Sequence, residues 1–215
     1  MTDQTTASVL FQTAYEGRYT WDTNFPGYSA NVQLVQGTDV YTGKISINRD
    51  LSVEVVGIAN EEVQEGIYIQ LQDVVIHRQH SSFEESYGKC EFTLGETDET
   101  GAVEIIVKSD SGDSHYKIRG GEIYQVSRAI ARNAFVIDTH ENFHTGAGYI
   151  ALRYDAVFRN AKTDEVTSVL KFEDTYEKFG DYYLLTKQVV HEFQDGDRST
   201  TEFSYSNIKL LGDGE

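Results

Sequence analysis

Between Gly148 and Asn160 the chain reads GYIALRYDAVFRN, with Ile150, Leu152, Tyr154, Ala156 and Phe158 at alternate positions and Arg153, Asp155 and Arg159 between them. Successive side chains of a strand point to opposite faces, so this period of two demands a sheet with one buried and one wet face. The same period starts at Tyr28, where YSANVQLVQ puts Tyr28, Ala30, Val32 and Leu34 on one side, and VYTGKISIN and LSVEVVG follow at hairpin spacing. Further strands are expected near 90–95, 102–108, 114–119, 122–130, 133–143, 148–159, 166–178, 182–194 and 200–211, separated by Gly, Asp, Asn and Thr. The last of them run to about twelve residues, well beyond the usual ~5–6, and long strands with one apolar face curl into a barrel or wrap a helix.

Two segments break the alternation. TTASVLFQTAYEGRY opens on hydroxyl residues suited to an N-cap and sets Val9, Leu10, Ala14 and Tyr15 near one helical stripe, so a helix is expected over about 5–18. From Asn60 to Arg78 a cap, two glutamates in the first turn and Val63, Ile67, Leu71, Val74 and Val75 at helical spacing predict a second, over 60–78. Between the first helix and the sheet, Pro26 followed by Gly27 marks a chain reversal. The expected fold is therefore mainly β (α+β): a single antiparallel, strongly curved sheet or incomplete barrel of about ten or more strands, with both helices on its concave face. No stretch resembles a linker, and all-β chains of this length form single units, so residues 1–215 read as one domain.

Charge narrows the partners. With 35 acidic against 18 basic residues the chain carries -17, and its scattered lysines and arginines form no cluster, so nucleic acid is excluded as an expected partner. The single cysteine, Cys90, rules out an intrachain disulfide and fits a reducing compartment. No basic, apolar leader opens the sequence, and no run approaches the ~18 apolar residues of a membrane span; a cytoplasmic location is expected.

IHRQHSSFEESYGKCEF gathers two histidines, an arginine, glutamates and Cys90. His77 and His80 stand three apart, so on a helix they share a face, as two ligands of a zinc ion must. H-x-x-H without the glutamate of H-E-x-x-H is a weak signal, and the plainer reading is a polar helix end whose His and Arg meet the last carbonyls. His140 and His144, beside the turn GAG, read as solvated hairpin residues, and Cys90 as a small apolar residue of a strand. No G-x-S-x-G elbow or phosphate-binding loop is present, and no cofactor is implied.

Two charges stand on apolar faces: Arg128 among Tyr124, Val126 and Ile130, and Asp174 among Leu170, Phe172 and Tyr176. An unpaired charge inside costs several kcal/mol, so each needs a partner or an opening to water. They are expected in a partly polar cavity, paired or facing a ligand's polar head; a register slip of one residue would put either in solvent instead.

The stretches AYEGRYTW, FPGYSANV, YTGKISIN, HRQHSSFE, FTLGETDETG, TGAGYIALRYDAVFRN and FEDTYEKFGDYYLL together resemble an uncharacterised family of about this length from cyanobacteria and plant plastids. That resemblance brings no activity, cofactor or catalytic residue. A helix leading into F-x-G-Y-S-A-N-V, with the close YYLLTKQVVHEF and STTEFSYSNIKL, is similar to the lipoprotein-carrier superfamily, which implies an incomplete barrel whose apolar hollow takes acyl chains. The functional expectation is a binding domain for a lipid-like or amphipathic molecule, its cavity lined by Arg128, Leu152, Tyr154, Phe158, Phe172, Asp174 and Tyr176. A close variant is an interaction module whose acidic surface meets a protein partner of the photosynthetic membrane. The alternative is a metal-dependent or hydrolytic enzyme using His77, His80 and nearby carboxylates.

Overall fold

A computed structural model of the chain describes residues 3–212. Helix α1 (Asp3–Glu16) precedes strands β1 (Tyr28–Gln36), β2 (Asp39–Ile47) and β3 (Val53–Val56), and helices α2 (Glu61–Arg78) and α3 (Phe83–Tyr87) follow. Then come β4 (Glu91–Thr97), β5 (Val103–Ser109), β6 (Gly112–Arg119), β7 (Glu122–Ile130), β8 (Asn133–His144), β9 (Tyr149–Asn160), β10 (Val166–Phe179), β11 (Tyr182–Gln194) and β12 (Asp197–Leu210). They form one antiparallel, unclosed sheet of 12 strands in the order β3-β2-β1-β12-β11-β10-β9-β8-β7-β6-β5-β4. Neighbours in sequence are neighbours in the sheet, except that β1 pairs with β12 and that β3 and β4, joined in sequence through α2 and α3, are the two edge strands. No helix of the described residues is long and apolar enough to cross a membrane.

Contacts gather into two compact units: unit 1 is Met1–Tyr19, Ser81–Phe172 and Glu192–Arg198, and unit 2 is Thr20–His80, Glu173–His191 and Ser199–Glu215.

In unit 1, α1 lays Ala7, Phe11, Ala14 and Tyr15 onto Phe92, Ile105, Val107 and Ile118 of β4, β5 and β6, with Phe83 of α3 closing the cluster. Ser82 caps α3, and its side chain and that of Glu85 exchange backbone donors in a capping box, which is why so short a helix persists. Helix α1 starts and stops two residues earlier than its pattern predicts. Its last turn is released because Gly17 to Tyr19 pair with β9 instead: Tyr149 N donates to Gly17 O at 3.0 Å and Tyr19 N to Tyr149 O at 2.9 Å. Gly148 makes this possible, since at φ +143 a Cβ would stand 2.6 Å from Tyr19 N. Gly148→Ala is therefore expected to cost about 2–3 kcal/mol, read as a shift of the urea midpoint at unchanged m, because alanine brings both a strained dihedral and a backbone clash.

In unit 2, Asn60 accepts from Val63 N at 3.1 Å and starts α2 as expected. The helix buries Ile67, Leu71, Val74, Val75 and Arg78, and packs on β3. Pro26 and Gly27 turn the chain into β1 with Gly27 at φ +84, where a Cβ would collide with Ile47 O. Before that turn Trp21 stacks on Phe25, ring centroids 4.1 Å apart and planes at 11°.

Candidate functional site

The sheet register of unit 1 builds a cross-strand row. Phe92 pairs with Val107, Val107 with Ser114, Ser114 with Arg128, Arg128 with Phe135 and Phe135 with Phe158, so all six side chains share one face. Its first members lie in the core under α1; Phe135 and Phe158 are only half-buried. A second half-buried pair continues the surface: Tyr154, opposite Thr139 on the same face, stacks on Phe172 with centroids 4.5 Å apart and planes at 10°. Leu152 follows at the next inward position of β9.

Arg128 stands where covered core gives way to half-covered aromatic surface. Its Nη2 donates to Ser111 Oγ at 2.7 Å, while its Nε is buried and has no hydrogen-bond partner among the described residues. Arg128 and Phe135 also border a cleft of about 610 Å³, with His115 and Arg159 on its wall. Both side chains are engaged, His115 by Glu104 at 2.9 Å and Arg159 by the Asp164 carbonyl at 3.1 Å.

Unit 2 contains a different arrangement. Asp174 is 9% exposed and accepts from Gln188 Nε2 at 2.9 Å and from the Tyr176 hydroxyl at 3.4 Å. Gln70 of α2 donates to Gln188 at 3.2 Å and accepts from the Tyr205 hydroxyl. Arg78, at the end of α2, donates to the Tyr176 hydroxyl at 3.1 Å and lies 5.2 Å from that ring. A connected polar network thus ties α2 to β10, β11 and β12. Burial pushes the Asp174 carboxyl up to about 7, although Gln188, Arg78 and Tyr176 all pull it down, and Asp73 adds to the rise. Burial also raises the hydroxyls of Tyr28, Tyr176 and Tyr205, and the Tyr28 hydroxyl has no hydrogen-bond partner among the described residues.

The sequence-derived cavity residues fall in both units. Arg128, Leu152, Tyr154, Phe158 and Phe172 belong to unit 1, and Asp174 and Tyr176 to unit 2. Sequence reasoning missed Gln70, Gln188 and Tyr205. Arg78 had a visible signal: it follows Leu71, Val74 and Val75 at helical spacing, so it sits on the buried stripe.

His77 and His80 both face solvent. His77 lies 3.6 Å from Asp73 one turn earlier, and His80 Nδ1 is 3.3 Å from Thr20 Oγ1. Among the described residues no group of three or more His, Cys, Asp or Glu could hold a metal ion. His140 and His144 pair on the sheet surface with Asp155 and Glu122 at 3.3 and 3.0 Å. Cys90 packs against the unit 1 core, and burial raises its thiol.

These features define a mainly β protein: one open antiparallel sheet with helices packed on it, a half-covered aromatic surface and a buried polar network. The chain belongs to the family described as "Protein of unknown function (DUF3386)", which matches residues 2–211. Among solved structures it is similar to a domain from Vibrio parahaemolyticus named for outer membrane lipoprotein sorting, at 10% identity over 99% of this chain and 95% of that one, with a TM-score of 0.39. It is similar to a DUF1329 family protein from Desulfovibrio piger at 11% identity over 100% and 96% of the two chains, TM-score 0.30. A chain of the Pseudomonas aeruginosa MucA/MucB complex matches at 11% identity over 97% and 100%, TM-score 0.27. No protein of curated function matches.

Proposed function

We propose that the chain is a binding domain for an anionic amphiphile, whose apolar tail lies along the aromatic surface of unit 1 and whose head meets Arg128. The observation that carries this reading is a guanidinium with a buried, unpartnered Nε beside a row of half-buried rings. A buried cation donor left unmatched is costly, and a carboxylate or phosphate head would satisfy it with a charge-assisted bond. An acyl tail over Leu152, Phe135, Phe158 and the Tyr154–Phe172 stack removes further apolar area from water, at about 25 cal/mol per Å². Asp174 and Tyr176 are assigned to holding α2 rather than to the ligand.

Native mass spectrometry of the protein purified from its own host is expected to show a lipid-sized adduct. Stripped protein should bind a dansyl-labelled fatty acid saturably, with about tenfold weaker binding in Arg128→Gln, since one charge-assisted bond is worth about 1.5 kcal/mol. A clean unliganded mass together with no saturable uptake of the probe overturns the reading, and so does equal affinity in the variant.

A further inference from the structure

Helix α2 is apolar on two sides. Its inner side carries Ile67, Leu71, Val74 and Val75, yet Ile69 and Ile76 on the outer side are 58% and 65% exposed, with exposed Tyr68 at their edge. Scattered exposed isoleucines need no explanation, but these lie on one line: Glu62, Gly66, Ile69, Asp73 and Ile76 succeed one another at steps of four, three, four and three. Such a ridge is the surface that another helix packs against.

Gly66 is the second observation. A glycine inside a helix costs about 1 kcal/mol relative to alanine, and a Cβ added here would meet nothing within 4 Å. Nothing inside the protein requires the missing side chain. On the outer side, a bare position one turn before Ile69 lets an approaching backbone come close.

Charge selects the occupant. Glu62, Glu65 and Asp73, all exposed, border the isoleucines, and the chain as a whole carries -17. A second copy would bring the same carboxylates against them. A lipid surface fits badly too, because helices that lie on membranes surround their apolar side with lysine and arginine. We propose that the outer side of α2 is the docking surface for a basic amphipathic helix of a protein partner, its apolar residues over Ile69 and Ile76 and its lysines or arginines facing Glu62, Glu65 and Asp73. This surface lies in unit 2 and does not depend on the ligand assigned to unit 1.

The test uses the full chain and a labelled leucine–lysine heptad peptide of about 21 residues, with a leucine–glutamate peptide as its counterpart. The chain is expected to bind the lysine peptide saturably, and Ile69→Ser with Ile76→Ser to weaken it about 30-fold without changing the circular dichroism spectrum. Glu65→Lys with Asp73→Lys should lose the lysine peptide and take up the glutamate one. Failure of the wild-type chain to bind, or unchanged affinity in the serine variant, overturns the proposal. A dimer in sedimentation that the serine variant dissolves assigns the surface to a second copy instead. Retention on phosphatidylcholine vesicles that the serine variant loses assigns it to a lipid surface, and either result likewise overturns the basic helix.

Discussion

Phe11→Ala is expected to lower the stability of the protein by about 4 kcal/mol and its melting temperature by about 10 °C in differential scanning calorimetry. Phe11 is 0% exposed, and its ring is the hub of the unit 1 core: Tyr116 and Tyr87 meet it edge-on at 4.7 and 4.8 Å, and Phe92 lies at 5.5 Å. Alanine removes the ring and leaves a cavity walled by rigid aromatic side chains on α3, β4 and β6, which cannot collapse inward without losing their contacts with one another. Phe11→Leu fills most of the space and should recover more than half of the loss. Because α1 is anchored mainly through this ring and Tyr15, its amides should lose hydrogen-exchange protection in Phe11→Ala before those of β5 and β6 do. A loss below about 1 kcal/mol would mean that α1 is not anchored through this cluster.

The alternation that dictates the sheet was legible because it has no competing explanation. A period of two over nine to fourteen residues, as in β1 and β10, cannot be satisfied by a helix, and the strands fall where the Gly, Asp and Asn breaks put them. What escaped was short or non-local. Helix α3 has five residues, too few for any periodicity, and its one signal was Ser82 with Glu85 three positions on. The end of α1 was misplaced because the pairing of Gly17 to Tyr19 with Tyr149 outweighs one more helical turn, and no local pattern encodes that competition.

Site residues followed the same division. Arg128 and Asp174 stood out because a charge at an inward strand position is a local anomaly, and both are drawn inward, Asp174 fully and Arg128 halfway. Their partners were not legible, because Ser111, in the turn between β5 and β6, and Gln188, on β11, are brought to them by the fold and are ordinary polar residues in sequence. The histidines showed the reverse: a dense cluster in sequence that the helix end spreads over an exposed surface.

Asp174→Asn is expected to make the protein more stable at pH 8 and to leave it nearly unchanged at pH 4. The carboxyl titrates at about 7 in the folded chain and near 3.8 when unfolded, so between these values the native state holds the extra proton and stability falls as pH rises. Below 3.8 both states are protonated and the contribution is fully present; above about 7 it is gone, a difference of about 4 kcal/mol. The groups facing Asp174 explain the sign: Gln188 and Tyr176 donate to it and Arg78 attracts its charge, while Asp73 on α2 opposes it and burial outweighs them all. Asparagine keeps an acceptor for Gln188 and carries no charge, so the variant should lose the slope between pH 4 and pH 8 in urea titrations. Arg78→Met removes the opposing cation and should drive the carboxyl higher, steepening the loss of stability toward pH 8. The opposite outcome, an asparagine variant several kcal/mol weaker at pH 8, would mean that Asp174 is ionised and paired with Arg78, and that α2 is held by a buried ion pair.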